Sequence, residues 1–279
     1  MNDILFAVLV VAGIGAVVGI VLAVASIVMA VPKDEKAEEV LEVLPGANCG
    51  ACGYSGCSGY ATALAHGEAE NGLCSPGGEE TVKAIAKVLG QEATQTIRTT
   101  AVINCNGNSE NTKDSMEYQG IRTCKSAVQL YGGTKDCKYG CIGFGDCAKV
   151  CEYDAIQIVN GVAVIDYRRC KSCKKCVLEC PKNLISITPV KPQAVVLCSN
   201  CDKGGQTRKD CAVGCISCMK CVKVCPTKAI KITNFNATIN ADLCVGCFEC
   251  VEQCPQHCIV KKFVWFEHSS LKHQYITKK

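Results

Sequence analysis

Aromatic side chains are scarce in this chain: only 5% of its 279 residues are Phe, Tyr or Trp, and there is a single Trp. Large aromatic side chains supply much of the buried area of ordinary protein cores, so cores of the usual kind are not expected. The chain instead contains 26 cysteines, far above average usage. Something other than apolar packing must therefore hold much of it together.

A second absence is found at the N-terminus, where no Lys or Arg precedes the apolar run from Ile4 to Val31. A cleavable signal peptide has a basic leader and a shorter apolar segment, so this reading is not favoured. The run contains no charged residue. At about 1.5 Å per residue it can cross a hydrocarbon core about 30 Å thick. The sequence therefore predicts a transmembrane helix over residues 1–31.

The spacing of the cysteines indicates which chemistry they serve. Without a cleavable signal, disulfides are not favoured, and pairs separated by two residues are typical of metal sites that bind zinc or iron. Cys170, Cys173, Cys176 and Cys180 are followed by Pro181. This spacing resembles that of bacterial two-cluster ferredoxins, in which the fourth cysteine binds the neighbouring cluster. It favours four-iron clusters over zinc.

The same run returns 74 residues later, from Cys244 to Pro255. The offset also aligns five upstream cysteines, so nine cysteines repeat in register, which indicates two tandem ferredoxin-like modules. We expect the first over residues 99–188, with a preceding linker, and the second over residues 189–260. The five upstream pairs are Cys124 with Cys198, Cys137 with Cys211, Cys141 with Cys215, Cys147 with Cys221, and Cys151 with Cys225.

Each module is expected to hold two four-iron clusters, with cysteines crossing between its two runs. Three ligand sets follow directly from the pattern. They are Cys151, Cys170, Cys173 and Cys176; Cys215, Cys218, Cys221 and Cys254; and Cys225, Cys244, Cys247 and Cys250.

The fourth set of the modules is incomplete, because Phe144 stands where the offset places the equivalent of Cys218. Cys137 is the nearest substitute. The predicted set is therefore Cys137, Cys141, Cys147 and Cys180, and the alternative is an empty site or a three-iron cluster. Glu152 also replaces the proline expected after Cys151, which alters the local turn without removing a ligand.

A different cysteine motif precedes the modules. Cys49, Cys52, Cys57 and Cys74 can bind one cluster, and the glycines between them allow backbone N–H groups to approach its sulfurs. Plant-type two-iron sites use the opposite order of spacings, so a four-iron cluster is predicted. We expect a domain over residues 32–98, made of a charged stalk, this cluster site and a covering helix from Glu79 to Leu89.

Five clusters use twenty of the cysteines. A sixth cluster is possible from Cys198, Cys201 and Cys211, with a fourth donor from Cys105 or Cys124. The last remaining cysteine is Cys258. It replaces Leu184 of the first copy and is expected to be a small apolar residue.

The segments between the cysteines indicate the fold class. A strand from Ala155 to Val159 is predicted to turn at Asn160-Gly161 and return from Val162 to Ile165. The second copy repeats this pattern from Ile230 to Ile239. Residues 91–120 are rich in Thr, Asn, Ser and Gln, and part of them is predicted to be a linker. The expected class is α+β, with one transmembrane helix, a small iron-sulfur domain and two ferredoxin-like modules.

Charge divides the chain. Residues 33–98 carry five basic and ten acidic residues, whereas the whole chain has a net charge of +4. The excess of positive charge therefore lies in the modules, where a basic face can attract an acidic redox partner. Nucleic-acid binding is not favoured, because no recognition motif or aromatic platform accompanies the basic residues. Those near the cysteines are Lys171, Lys174, Lys175, Lys182, Lys203, Arg208, Lys209, Lys220, Lys223 and Lys228.

Taken together, the N-terminal helix, the motif from Leu44 to Cys57 with Cys74, and the two modules resemble the RnfB family. Members are electron-input subunits of Rnf complexes, and the two modules resemble the longer form found in anaerobes. The resemblance implies an assembly that oxidises a soluble acidic ferredoxin, reduces NAD at another subunit and translocates Na⁺ or H⁺. It implies no catalytic, flavin or nicotinamide site in this chain, and further membrane and peripheral subunits as partners.

Electron relay to a complex that keeps a redox-sensing transcription factor reduced is an alternative in the same chemistry. A non-redox binding module with structural metal sites is an alternative of a different class. Clusters and free thiolates require the reducing side of the membrane. We therefore expect a single-pass protein of the cell (inner) membrane, with its N-terminus outside and its clusters in the cytoplasm. Residues 261–279 are expected to form a basic tail.

Overall fold

The computed structural model describes residues 2–28 and 34–263. Helix α1 spans Asn2–Val28, so the predicted transmembrane helix is present, with the predicted end at Val31 outside the described residues. Its window Val8–Ser26 is long and apolar enough to cross a membrane, and none of that window is buried inside the protein. The helix therefore adds nothing to the folded cores behind it. Most of the predicted basic tail, residues 264–279, also lies outside the described part.

Three helices form the N-terminal unit, which we define as residues 34–90. They are α2 (Glu35–Val43), α3 (Cys57–Ala65) and α4 (Gly78–Leu89). The Oδ1 of Asp34 accepts the backbone N–H groups of Lys36 and Ala37, which starts α2. The predicted charged stalk is thus a helix of this unit, since Val40 is fully buried in a core with Leu64 and Ile85.

Two β-ladders close each repeat. In residues 99–189, which we call the first repeat, β1 (Thr99–Ile103) pairs antiparallel with β4 (Ile185–Pro189). In residues 193–262, the second repeat, β5 (Gln193–Val196) pairs with β8 (Ile259–Lys262). The first and last strands of each repeat therefore lie side by side. Part of the predicted linker is in fact β1, and its Ala101 and Ile103 belong to the core of the first repeat.

The two predicted hairpins are confirmed. Strand β2 (Ile156–Val159) pairs with β3 (Val162–Ile165), and β6 (Ile230–Thr233) pairs with β7 (Asn236–Ile239). Asn160 and Gly161 turn the first hairpin with positive φ angles of 47° and 75°. These are the values that a two-residue turn with left-handed residues requires.

Short helices carry cysteines between the strands. The first repeat contains α5 (Cys124–Tyr131), α6 (Asp146–Lys149) and α7 (Lys175–Glu179). The second contains α8 (Gly204–Asp210), α9 (Lys220–Val224) and α10 (Glu249–Glu252). Their cores consist largely of cysteine and small aliphatic side chains, as the scarcity of aromatic residues predicts.

The two repeats contact each other through hydrogen bonds between loops. The backbone N–H of Asn106 donates to the carbonyl of Leu197 at 3.1 Å, and that of Ala212 donates to the carbonyl of Asn111 at 2.8 Å. The Ser199 hydroxyl donates to the carbonyl of Asn104 at 2.9 Å. The loops that follow β1 and β5 therefore lie against each other.

Candidate iron-sulfur centres

Site I is formed by the four predicted cysteines of the N-terminal unit. Burial raises the pKa of the Cys74 thiol, and the nearby thiols of Cys57, Cys49 and Cys52 raise it further. The four line a recess of about 310 Å³, together with Leu44, Pro45 and Tyr60. Four converging thiols around an open space fit a polynuclear cluster.

The backbone around site I is shaped by one side chain. The Oδ1 of Asn48 accepts the backbone N–H of Cys57 at 2.8 Å. Gly56 has a φ of 106°, and a Cβ there would lie 2.9 Å from the same Oδ1. A glycine is therefore required at Gly56 for the loop to reach α3.

Sites II, IV and V share one backbone path, in which left-handed residues flank the middle cysteine of each three-cysteine run. Ser172 and Lys174 flank Cys173 with φ angles of 54° and 62°. Ser217 and Met219 flank Cys218 in the same way, as Gly246 and Phe248 flank Cys247. Left-handed φ angles are costly for residues other than glycine, so the repetition indicates a path set by wrapping the loop around a bound group.

Site II contains Cys151, Cys170, Cys173 and Cys176, as predicted. Burial raises the pKa of Cys176 to about 12, and the neighbouring thiols of Cys170, Cys173 and Cys151 act in the same direction. Site II also adjoins site I, since the thiol of Cys49 adds to the raised pKa of Cys173. The structure therefore brings the N-terminal unit against the first repeat at these two sites.

Site IV contains Cys215, Cys218, Cys221 and Cys254, which surround a recess of about 320 Å³. Burial raises the pKa of Cys221 to about 11, and the thiols of Cys215, Cys218 and Cys254 add to this. The predicted ligands of site IV are thus brought together.

Cys258 belongs to the surroundings of site IV. Its Sγ lies 3.6 Å from the Sγ of Cys254. A hydrogen bond from the Cys258 thiol lowers the pKa of Cys215 to about 6 and that of Cys254 to about 5. Sequence reasoning assigned Cys258 only as a small apolar residue; the structure gives it a polar role beside two predicted ligands.

Site V contains Cys225, Cys244, Cys247 and Cys250. Burial raises the pKa of Cys250 to about 12, followed by the thiols of Cys244, Cys247, Cys221 and Cys225. Because Cys221 belongs to site IV, the two sites are adjacent. Of the 26 cysteines, only Cys218 and Cys247 are exposed, so sites IV and V present the most accessible sulfurs of the chain.

Site III differs from its prediction. Burial raises the pKa of Cys147 to about 12, and the thiols that add to it are those of Cys141, Cys124, Cys180 and Cys176. Cys124 therefore lies with the group. Cys137 does not appear among these neighbours.

The predicted ligand Cys137 lies instead between the repeats. After burial, the thiol of Cys105 is the neighbour that raises the pKa of Cys137. Cys137 and Cys105 both raise the pKa of Cys211, which burial brings to about 11. We call Cys105, Cys137, Cys198 and Cys211 the inter-repeat thiols.

Single metal ions do not fit these groups. A tetrahedral zinc with Zn–S bonds of about 2.3 Å needs sulfurs about 3.8 Å apart. Within residues 2–28 and 34–263, no group of three or more His, Cys, Asp or Glu side chains closes around one ion. The wider groups of thiols suit a cluster that is bound at separate iron atoms.

Three lysines of the predicted basic face are used inside the protein. The Nζ of Lys174 donates to the carbonyl of Ala51 at 2.8 Å, and Lys175 pairs with Glu152. Lys182 is buried beside thiols, which lowers its pKa. The second repeat keeps its basic residues on the surface, since Lys203, Arg208, Lys209, Lys220, Lys223 and Lys228 are exposed.

Protein-family models match three parts of the chain. Residues 44–76 match the model of a putative Fe-S cluster domain, which covers site I. Residues 163–186 match a 4Fe-4S binding domain, and residues 214–258 match a 4Fe-4S dicluster domain. Iron-sulfur and 4Fe-4S ferredoxin-like domains are therefore present in this chain.

Curated relatives extend over most of the sequence, and all three described here carry the letter B among the components of their complexes. The one from the Na⁺-translocating ferredoxin:NAD⁺ oxidoreductase complex of Acetobacterium woodii is 40% identical over 77% of this chain, which spans 65% of that relative's length. The one from the ion-translocating oxidoreductase complex of Methanosarcina acetivorans is 36% identical over 84% of this chain and 89% of its own. The one from the proton-translocating ferredoxin:NAD⁺ oxidoreductase complex of Clostridium ljungdahlii is 37% identical, with coverages of 77% and 76%. With this similarity across both the cluster motifs and the segments between them, the chain belongs to the RnfB family of ion-translocating oxidoreductase complexes.

Proposed function

We propose that this chain is the electron-relay subunit of a membrane-bound ferredoxin:NAD⁺ oxidoreductase complex that translocates ions. It takes electrons from a reduced ferredoxin and passes them through its 4Fe-4S clusters toward the subunits that reduce NAD⁺. The clusters supply reversible one-electron transfer when bound, and the thiolates of sites I to V hold them. The chain itself carries out no hydride transfer.

One observation carries this proposal: the thiol groups form a connected series. Site V adjoins site IV through Cys250 and Cys221. Site III adjoins site II through Cys147 and Cys176. Site II adjoins site I through Cys173 and Cys49. Purely structural metal sites have no need to follow one another in this way.

The second repeat is the proposed docking surface for ferredoxin. The exposed ligands Cys218 and Cys247 bring clusters to the surface there. Exposed apolar side chains, among them Met219 and Val245, adjoin them in sequence. Exposed basic residues of the same repeat attract an acidic carrier and speed its approach.

The membrane lies at the other end of the series. Site I follows α1 in sequence, so electrons that reach site I are next to the membrane subunits of the complex. We propose that the N-terminus faces outside and the cluster-bearing part faces the cytoplasm, where thiolates stay reduced. The arrangement of two tandem ferredoxin-like modules in an α+β fold supports this direction, because it leaves the second repeat as the end away from α1.

The rate at which reduced ferredoxin reduces the purified chain tests the proposal. This rate should fall steeply as salt rises, because exposed charges are screened beyond about 8 Å at physiological ionic strength. The Lys220→Glu and Lys223→Glu variants should lower both the rate and its salt dependence. Lys83→Glu is the matched control, since Lys83 is exposed on α4 and pairs with Glu79. A rate that ignores salt and these substitutions contradicts ferredoxin docking on the second repeat.

A further inference from the structure

The cysteines outside sites I, II, IV and V form two groups rather than one. Cys258 is accounted for by its hydrogen bonds at site IV. The remaining nine are divided between site III and the contact of the two repeats. They are Cys105, Cys124, Cys137, Cys141, Cys147, Cys180, Cys198, Cys201 and Cys211.

Phe144 shows how site III gains a fourth ligand. Gly143 and Gly145 flank it with φ angles of 85° and 84°, so the backbone follows the path that surrounds the middle cysteine of the other sites. The Phe144 ring contacts the ring of Tyr118 at 5.5 Å and the guanidinium of Arg122 at 5.1 Å. The residue that replaces the missing cysteine therefore holds the segment that leads to Cys124.

Two contacts of Lys125 fix Cys124 beside the other thiols of site III. The backbone N–H of Lys125 donates to Oδ2 of Asp146 at 3.2 Å. Its Nζ pairs with Oε1 of Glu179 at 2.8 Å. Asp146 and Glu179 immediately precede Cys147 and Cys180, so Cys124 adjoins both.

Cys105 and Cys198 occupy equivalent positions of the two repeats. Each follows by two residues the end of a strand, β1 or β5, whose partner ends match by the 74-residue offset. The Sγ of Cys105 accepts the N–H of Cys141, and the Sγ of Cys198 accepts the N–H of Cys215, both at 3.3 Å. The alignment of Cys124 with Cys198 by the offset alone is therefore not the structural one.

Cys137 and Cys211 form the second equivalent pair. Both are 7% exposed, and the carbonyl of each accepts the N–H of a glycine three residues later. The side chain of Asn200, from the second repeat, donates to the Sγ of Cys137 at 3.5 Å. Each repeat thus supplies one cysteine of each pair to the same buried contact.

Cys201 is not part of this arrangement. Its Sγ donates to the carbonyl of Ser199 at 3.6 Å. At the equivalent position of the first repeat stands Asn108, whose Oδ1 accepts the N–H groups of Glu110 and Asn111. A site built from equivalent residues of both repeats therefore uses Cys198 rather than Cys201.

We propose that Cys105, Cys137, Cys198 and Cys211 bind a sixth four-iron cluster between the repeats, and that Cys124 completes site III with Cys141, Cys147 and Cys180. Each cysteine binds iron as a thiolate after loss of its proton. Six groups of four then leave two of the 26 cysteines, Cys201 and Cys258, without iron.

This cluster joins two otherwise separate halves of the relay. Cys105 touches the backbone of Cys141 in site III, and Cys198 touches that of Cys215 in site IV. The series then runs without a break from site V to site I. The inference rests on the proposed electron-relay function for its purpose, but its ligand sets are tested without electron transfer.

Pairs of alanine substitutions test which cysteines share a cluster. The full chain is purified anaerobically in detergent, and its iron and acid-labile sulfide are counted. Wild type should hold about 24 iron atoms, four for each cluster. Cys137→Ala, Cys211→Ala and the double variant should each lose the same four, because one cluster is removed only once. Cys124→Ala combined with Cys211→Ala should lose about eight.

Cys201→Ala is the matched control and should lose no iron. The signal of the cluster at site I, measured by electron paramagnetic resonance, shows that each variant is folded. Losses that add up for Cys137 with Cys211, but not for Cys124 with Cys211, would overturn the assignment by exchanging Cys124 and Cys137. A wild-type chain with about 20 iron atoms would remove the sixth cluster and leave the proposed function standing. A chain with all 24 that ferredoxin does not reduce would have the opposite meaning.

Discussion

The Nζ of Lys174 donates a 2.8 Å hydrogen bond to the carbonyl oxygen of Ala51. Lys174 lies between two ligands of site II, and Ala51 lies between two ligands of site I. The bond therefore holds the last two sites of the relay together.

Lys174→Met should slow electron transfer from site II to site I. A hydrogen bond from a charged group contributes about 1.5–3 kcal/mol, so its loss weakens the contact of the two units by roughly tenfold or more. Freeze-quench electron paramagnetic resonance after rapid reduction measures the delay at site I. Lys171→Met is the control, since Lys171 is exposed in the same loop. Equal rates in the two variants would show that the contact does not limit transfer.

Cys258→Leu should lower the reduction potential of site IV without loss of iron. The Cys258 thiol donates to sulfurs of Cys215 and Cys254, and such hydrogen bonds favour the reduced cluster, which carries one more negative charge. Leu184 occupies this position in the first repeat, so the reverse change, Leu184→Cys, should raise the potential of site III. A redox titration measures both. Loss of iron from Cys258→Leu would instead identify Cys258 as a ligand.

Lys182→Met should lower the potentials of site III and of the inter-repeat cluster together. Burial lowers the pKa of Lys182, whereas the neighbouring thiols of Cys137, Cys105, Cys141 and Cys180 oppose this. A positive charge so placed favours reduction of the nearby clusters. Lys113→Met, at an exposed lysine of the same repeat, should leave both potentials unchanged. A shift confined to one cluster would mean that Lys182 faces that cluster alone.

Acidification should help a chelator to remove iron from sites II, III and V before site IV. The pKa of Cys176, Cys147 and Cys250 is raised to about 12, so protons compete with iron for these thiols throughout the physiological range. The pKa values of Cys215 and Cys254 are lowered to about 6 and about 5, and competition at these two begins only below those values. Iron release followed at pH 8, 7 and 6 checks the order. Earliest loss from site IV would contradict it.

Cysteine spacing predicted much of the molecule, because a cluster imposes the same loop wherever it binds. The groups at sites I, II, IV and V are brought together in the structure as the sequence indicates. The hairpin at Asn160 and Gly161 was equally predictable, since these two residues readily adopt the required left-handed conformations. Local chemistry sets both features, and local chemistry is visible in a sequence.

The contact between the repeats was not predictable in the same way. The loop from Cys105 to Cys137 is longer than that from Cys198 to Cys211, so the offset of 74 fails upstream of Cys137. It then aligns Cys124 with Cys198, although strand pairing shows that Cys105 is the equivalent residue. The ring contacts of Phe144 with Tyr118 and Arg122 are tertiary, and no spacing rule reveals them.

Polar composition also misled at two places. Thr99 and Thr100 follow a polar stretch, yet β-branched residues suit a strand, and β1 forms because β4 is available to pair with it. The acidic segment after Asp34 suggested a stalk. It is a helix because Val40 finds a buried position against α3 and α4.

The pairing of β1 with β4, and of β5 with β8, has a consequence for how such chains evolve. Because each copy begins and ends at neighbouring strands, gene duplication can add a copy, or deletion can remove one, without opening the strand pairing of the other. A lone copy would carry two of the inter-repeat thiols and half of a cluster site. Duplication would then have created, in one step, both the second half of the conductor and the junction that joins it to the first.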